Sequence, residues 1–284
     1  MVGRHLAQLN VATLRHPIDH PQIADFAEGL PVVNGAGDNA PGYVWRLQSD
    51  SGNATDIRVF DDPLVIVNLT VWETLEALKA FAYRGIHREF FRRRVEWFVE
   101  GSTRTALWWL RAGTLPTADD ARRRLDFLDL FGPSPYAWAM GQNYPALVTE
   151  RLDTDDFRNH ELHHRLHDGV VRDDYECVVV AELDDEPVAC GGYRRADPST
   201  AEVRHMYVAQ SARGIRMGTA ILAELEAAAT SVGLQRLVLE SWPSQLPALE
   251  RFGYQPCNGR SDFELPSESI CLEKALTDEP SRLA

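Results

Sequence analysis

Residues 202–233 read EVRHMYVAQSARGIRMGTAILAELEAAATSVG, and that order of patterns leaves few folds open. Residues 202–208 have the look of a strand. Met217, Ile221, Leu225 and Ala228 recur at helical spacing, and Gly233 stops the helix. Arg213-Gly214-Ile215-Arg216-Met217-Gly218-Thr219 must carry the chain from the strand end into the helix start. A glycine-containing turn in that position is an anion cradle. Successive backbone N–H groups point outward, the helix dipole adds positive potential, and glycine admits the positive φ and close approach the turn needs. The spacing is neither the P-loop nor the dinucleotide-binding pattern, and no lysine is placed to reach a γ-phosphate.

The surrounding second half is also patterned. ECVVVAELDDEPVACGGYRR reads as a hairpin around the polar turn Asp184-Asp185-Glu186-Pro187. LQRLVLESW is a strand, SQLPALERFGYQP a short helix and a turn, and ESICLEKAL a closing strand. The strand EVRHMYV, the turn with Arg213, Arg216 and Gly218 in the signature Q/R-x-x-G-x-G/A, the helix, LVLESW and ALERFGY come in that order. Together they resemble the GNAT acyltransferase superfamily over about residues 143–275.

That resemblance implies acetyl-CoA or another acyl-CoA as co-substrate. The backbone of Arg213, Gly214, Ile215, Arg216, Met217, Gly218 and Thr219 would hold the pyrophosphate. Met206, Tyr207 and Val208 would pair with the pantetheine amides like an added strand. Two parallel strands splay apart in this family, the thioester enters the gap, and an amine attacks it directly. A backbone N–H near Val208 would stabilise the oxyanion. Two departures stand out. Arg216 occupies the middle glycine of the signature, and Leu249 occupies the position of the tyrosine that often protonates the departing thiolate. Tyr254 and Ser241 are the substitute acids, although Tyr254 also fits the packing aromatic after R-F-G. Glu202 and Glu240, on the strands framing the gap, are the candidate bases, or else cross-strand carboxylates.

The first half alternates as β-α-β-β-α-α-β, through HLAQLNV, PQIADFAEGL, GYVWRLQ, LVIVNLTVW, ETLEALKAFAY, HREFFRRRVEWFVE and TALWWLRAG. That order predicts one antiparallel sheet with helices on one face. The segments HLAQLN, GYVWRLQ, NLTVWETLEALKAF, HREFFRRRVEWF and LWWLRAG look like an uncharacterised family of the dimeric α/β-barrel superfamily, which implies a ferredoxin-like fold, a homodimer and a cavity between sheet and helices. His87, Tyr43, Trp45, Trp72, Trp97, Trp108 and Trp109 either line that cavity or form the core under the sheet. Arg92, Arg93 and Arg94 read as a solvated face or a dimer contact. The proline- and glycine-rich GPSPYAWAMGQNYPA marks the boundary, so the expectation is α+β, with domains 1–142 and 143–284.

His160-Glu161-Leu162-His163-His164 fits H-E-x-x-H, and His160, His163, His164 and His167 share one helical stripe. The stretch does not continue as H-x-x-G-x-x-H and falls where a GNAT domain places the helices bordering its acceptor site. It reads as a polar helix first and acceptor lining second, and no metal is expected.

Charge adds a constraint on partners. Of the net −13, residues 143–284 carry 14 Lys+Arg against 25 Asp+Glu, and residues 1–142 carry 15 against 17. Such an acidic second half disfavours nucleic acid and suits either solubility or a cationic amine acceptor. Cys177, Cys190, Cys257 and Cys271 form no C-x-x-C pair and read as reduced packing residues. No apolar run reaches membrane-spanning length and the N-terminus lacks a signal-peptide core, so the expectation is a cytoplasmic, two-domain acyl-CoA-dependent N-acyltransferase. The alternatives are an acyl-CoA sensor or scaffold without turnover, and a monooxygenase-like or ligand-binding role for the first half.

Overall fold

Strand alternation in β1 (Arg4–Thr13) sends Leu6, Gln8 and Asn10 to one face and Ala7, Leu9 and Val11 to the other. Both sets are needed, because β1 is central to its sheet. It pairs antiparallel with β3 (Val65–Trp72) and with β4 (Arg104–Arg111), and β2 (Tyr43–Arg46) adds outside β3. The sheet order is β2-β3-β1-β4, the ferredoxin-like arrangement. The computed structural model describes residues 3–158, 160, 175–257 and 268–276, in two compact units, Met1–Leu147 and Val148–Ala284.

Three helices cover the Gln8 face of the first unit: α1 (Ala24–Asp38), α2 (Leu75–Ala82) and α3 (Gly85–Trp97). Thr74 caps α2 by accepting the Ala77 N–H at 3.1 Å. Pattern reading ends α1 at Leu30, before Pro31; the helix runs eight residues further. An interior proline costs about 3 kcal/mol. Close packing offsets it: a Cβ at Gly29 would stand 2.0 Å from Phe90 Cζ on α3, and one at Gly37 3.3 Å from Phe81 Cζ on α2.

The opposite face is covered as well, by α4 (Ala118–Phe131), so the expectation of helices on one face alone is corrected. Arg104 on β4 pairs with Asp129 on α4, and Arg122 on α4 lies 4.7 Å from the Phe60 ring centre. The signal for α4 stands in the sequence as a capping box. Thr117 accepts the Asp120 N–H at 3.0 Å, and Asp120 accepts the Thr117 N–H at 3.1 Å.

In the second unit seven strands run in the order β10-β11-β9-β8-β7-β6-β5. These are β5 (Leu147–Leu152), β6 (Cys177–Leu183), β7 (Glu186–Asp197), β8 (Thr200–Val208), β9 (Arg236–Ser241), β10 (Gln255–Pro256) and β11 (Ile270–Ala275). The β6–β7 hairpin turns on Asp184 and Asp185, both at positive φ (52° and 70°), as a two-residue type I′ turn requires. Helix α5 (Thr154–Arg158) precedes β6. Helix α6 (Met217–Ser231) packs on β6, β7 and β8, and the short α7 (Leu246–Arg251) follows β9.

The cysteines divide into two kinds. Cys177 and Cys190 are buried free thiols, and burial pushes their pKa up to about 11 and about 12. Cys257 and Cys271 are disulfide-bonded, which corrects the expectation that all four are reduced. The cause is register. β10 pairs Gln255 with Glu273 and Pro256 with Leu272, so the next pair is Cys257 with Cys271, at a Cα–Cα distance of 5.4 Å. Wide sequence spacing hides this pair until the strands are aligned. Denatured without reductant, the chain should titrate two thiols, and after reduction four; four without reduction would contradict the pairing.

Candidate functional site

Only three residue pairs hold β8 parallel to β9: Thr200–Arg236, Ala201–Leu237 and Glu202–Val238. Beyond them β8 continues to Val208 bonded to β7, and β9 continues to Ser241 bonded to β11. The two strands part, and a cleft opens between them. A bulge bends β8 at this point. Cys190 faces Tyr207 and Gly192 faces Arg204, so Gly191 alone opposes His205 and Met206. His205 takes φ 49° to make the bulge. Gly191 is required there: a Cβ would meet Met206 Sδ at 2.4 Å and Ile221 Cγ2 of α6 at 2.9 Å.

From the end of β8 the chain enters the cradle. The Ala209 N–H donates to the Val188 carbonyl at 2.8 Å, a 3-10 turn covers Gln210–Ala212, and Arg213 Nε donates to the Val208 carbonyl at 3.2 Å. Gly214 (φ 80°) and Arg216 (φ 67°, ψ 23°) then take left-handed conformations and deliver the chain into α6. Buried Ala212 and Met217 anchor the turn from below. The first bond of α6 runs from the Ala220 N–H to the Arg216 carbonyl at 3.0 Å. Among the described residues, no backbone acceptor takes the N–H groups of residues 214–219, and no side chain caps the helix. Unspent donors at a helix N-terminus bind anions. The Arg213 and Arg216 side chains are exposed beside them.

The candidate acids and bases sort by environment. Glu202 is buried and fully engaged. Arg194, directly opposite on β7, donates to Oε2 from Nε at 3.0 Å and Nη2 at 2.8 Å, and Arg204 Nη2 donates to Oε1 at 2.6 Å. Its geometry is that of a structural ion pair at the fork of the cleft. Glu240 lies past the last parallel pair, and its buried Oε1 has no hydrogen-bond partner among the described residues. Ser241 is buried and donates to Gln245 Oε1 at 2.8 Å. Tyr254 is completely buried beside Glu226, and burial, then that carboxylate, pushes its phenol well above the usual range. Glu226 sits nine residues into α6, about 13 Å along the axis from Met217. Tyr254 thus packs under the sheet, away from the cradle.

Tyr175, which no sequence motif singles out, meets His205 of the EVRHMYV strand at the bulge, its hydroxyl hydrogen-bonded to His205 Nδ1. The signal for this approach is Gly191-Gly192 inside a strand. Gly191 makes room for Met206 and α6, and Gly192 makes room for Tyr175, whose Cδ1 lies 2.6 Å from where a Cβ would be. Of the histidine stripe, Glu161, His163, His164 and His167 lie outside the described residues. His160 is described, 6.4 Å from the Phe157 ring. Among the described residues no cluster of metal-binding side chains occurs, and no helix is long and apolar enough to cross a membrane.

In the first unit, His87 and Trp97 line a cavity between sheet and helices, whereas Tyr43, Trp45, Trp72, Trp108 and Trp109 pack around the core. Arg93 bonds Asp25 at 2.7 Å and Glu96 at 2.8 Å on the surface.

Residues 137–254 match the acetyltransferase (GNAT) family, and residues 5–154 match a domain of unknown function, DUF3291. The second match spans more than half of the sequence: the chain belongs to the DUF3291 family and carries a GNAT acetyltransferase domain behind it. Several solved structures are similar to the second part. A putative acyl-CoA N-acyltransferase from Klebsiella pneumoniae is 20% identical over 46% of this chain and 98% of its own, with a TM-score of 0.36. The ribosomal-protein-S18-alanine N-acetyltransferase from Escherichia coli is 14% identical over 49% and 99%, with a TM-score of 0.36. An aminoglycoside 6'-N-acetyltransferase complexed with coenzyme A is 17% identical over 37% and 74%, with a TM-score of 0.32. No functionally curated protein matches the chain.

A side chain held left-handed costs about 1–2 kcal/mol relative to glycine. Arg216→Gly should therefore stabilise the protein by about 1 kcal/mol, read as a higher urea midpoint at unchanged slope. A lower midpoint would mean that Arg216 makes stabilising contacts of its own.

Proposed function

We propose that the second unit transfers an acyl group, acetyl first of all, from acyl-CoA to an amine by direct attack. The observation that carries this reading is the coincidence of two features: the parting of β8 from β9, and, beside the end of β8, the N–H groups of residues 214–219, which no backbone acceptor takes among the described residues. The donors suit the diphosphate, with Arg213 and Arg216 adding positive charge. The β8 edge at Met206, Tyr207 and Val208 suits the pantetheine amides as an added strand. The thioester carbonyl then lies in the cleft, and a backbone N–H near Val208 stabilises the oxyanion as the amine attacks.

Glu240 is the base. Its buried Oε1 has no hydrogen-bond partner among the described residues, whereas Glu202 is consumed by two arginines. The attacking nitrogen loses its proton to Glu240 directly or through a water, the carbon–sulfur bond breaks, and the thiolate leaves. With Leu249 at the usual acid position and Tyr254 sealed away, water protonates the thiolate, which a pKa of about 8.5 permits. The acidic second half, net −11, favours a cationic acceptor such as a polyamine or a lysine side chain.

The test is release of free thiol from acetyl-CoA with a panel of amines. Turnover is expected, and Glu240→Gln should lower kcat about 100-fold with little change in KM for acetyl-CoA. Coenzyme A binding without thiol release from any amine would instead support a sensor, the reading that Arg216 and Leu249 favour. Substituting Gly218 tests the cradle separately. A Cβ there meets nothing nearer than Val208 Cγ2 at 3.8 Å, so Gly218→Ala should fold normally yet bind coenzyme A about tenfold more weakly. Unchanged affinity would remove the diphosphate from this turn.

A further inference from the structure

The first unit encloses a cavity of about 390 Å3 between the Gln8 face of its sheet and helices α1 and α3. That lies in the lower range of small-molecule sites, which are apolar concavities with a few convergent polar groups. The wall here is aromatic: Phe26, Phe90 and Trp97 line it, and Tyr83 and Phe91, 53% and 47% exposed, stand at its rim. Large aromatic rings left this exposed beside a cavity suit a mouth rather than a core.

The polar groups facing the space have hydrogen-bonding capacity to spare, and their orientations are fixed by their neighbours. The Trp72 indole N–H donates to Thr70 Oγ1 at 2.9 Å, and the Thr70 hydroxyl donates to Gln8 Oε1 at 3.1 Å. This chain of bonds points the Gln8 carbonyl at Thr70 and leaves its NH2 for the cavity. Thr105 Oγ1 donates to Asn10 Oδ1 at 2.8 Å and leaves the Asn10 NH2 in the same way. Among the described residues, neither NH2 group has an acceptor.

On the roof, His87 Nδ1 lies 2.9 Å from the Ala82 carbonyl. A carbonyl only accepts, so Nδ1 carries the proton, and Nε2 of the neutral ring is left as an acceptor. Burial holds the ring's pKa below its ordinary value. Arg94, seven residues and two turns further along α3, also lines the cavity, stacked on Phe91 at 4.2 Å with no carboxylate partner among the described residues. Arg46, the other lining cation, is neutralised by Asp38 at 2.8 Å.

Taken together, the walls favour flat rings, the amide donors of Gln8 and Asn10 and the Arg94 guanidinium, which has no carboxylate partner among the described residues, favour carboxylate or carbonyl oxygens, and the His87 imidazole nitrogen favours a hydroxyl. We propose that this cavity is a binding site for a small hydroxylated aromatic acid, with its ring between the sheet and α3, its acid group toward Arg94 and the amide donors, and its hydroxyl donating to His87. The site lies wholly within the first unit and is independent of acyl-CoA.

The test uses the full-length protein and 6-hydroxy-2-naphthoate, a fluorescent probe whose binding beside Trp97 also quenches tryptophan emission. Saturable binding with a Kd below about 1 mM is expected. His87→Phe, which keeps an aromatic ring against Phe81, and the surface change Arg94→Gln should each weaken it about tenfold. Leu30→Trp, which fills the cavity from α1, should abolish it. 2-Naphthoate, lacking the hydroxyl, should bind the wild type more weakly and be indifferent to His87→Phe. Each variant is checked for an intact unfolding transition. Absence of saturable binding to the wild type overturns the proposal, and so does binding that folded His87→Phe and Leu30→Trp leave unchanged.

Discussion

Strand β8 stays with β9 for three residue pairs and then leaves it, and everything at the candidate site depends on that departure. Two residues of β8 must share one partner on β7, so the strand bends where His205 goes left-handed. The bend is locked from both sides of the sheet, by Met206 and Ile221 over Gly191 and by Tyr175 over Gly192. A side chain at either glycine would force those neighbours away. With the strand turned aside, one short turn joins its end to the N-terminus of α6, and among the described residues the N–H groups of residues 214–219 have no backbone acceptor.

The turn that joins them holds a side chain in a conformation that favours glycine. Arg216 stands where the resembling family has glycine, yet it keeps the left-handed conformation at φ 67°. The cost is a strained side chain, in a turn whose six N–H groups, residues 214–219, have no backbone acceptor among the described residues. The carboxylates near the cleft illustrate a second point. Glu202 and Glu240 look equivalent by strand position, but Arg194 and Arg204 bind Glu202, while the buried Oε1 of Glu240 has no partner among the described residues. Chemistry at such a site follows from the neighbours' hydrogen bonds more than from the residue type.

Local patterns were legible and long-range ones were not. Most strands and helices of both halves, the Asp184-Asp185 turn and the turn at residues 213–219 follow from periodicity and glycine placement, whereas the strands Leu147–Leu152 and Gln255–Pro256 do not. Helix α4 was equally readable, through the Thr117–Asp120 box, and its presence puts helices on both faces of the first sheet. Other features needed partners far away in sequence. Helix α1 passes Pro31 because α2 and α3 hold it, Cys257 meets Cys271 through strand register, and the bulge at His205 is set by a glycine on the neighbouring strand. The arginine clamp on Glu202 is of the same kind, since Arg194 faces it only once β7 and β8 are aligned.

Amide hydrogen exchange with and without coenzyme A addresses the cradle most directly. The N–H groups of residues 214–219 have no backbone acceptor among the described residues and should exchange rapidly in the free protein. Clasping the diphosphate should slow them together, along with the amides of Met206, Tyr207 and Val208, while those of the β6–β7 hairpin stay unchanged. Saturation by coenzyme A that leaves residues 214–219 exchanging as before would contradict the account.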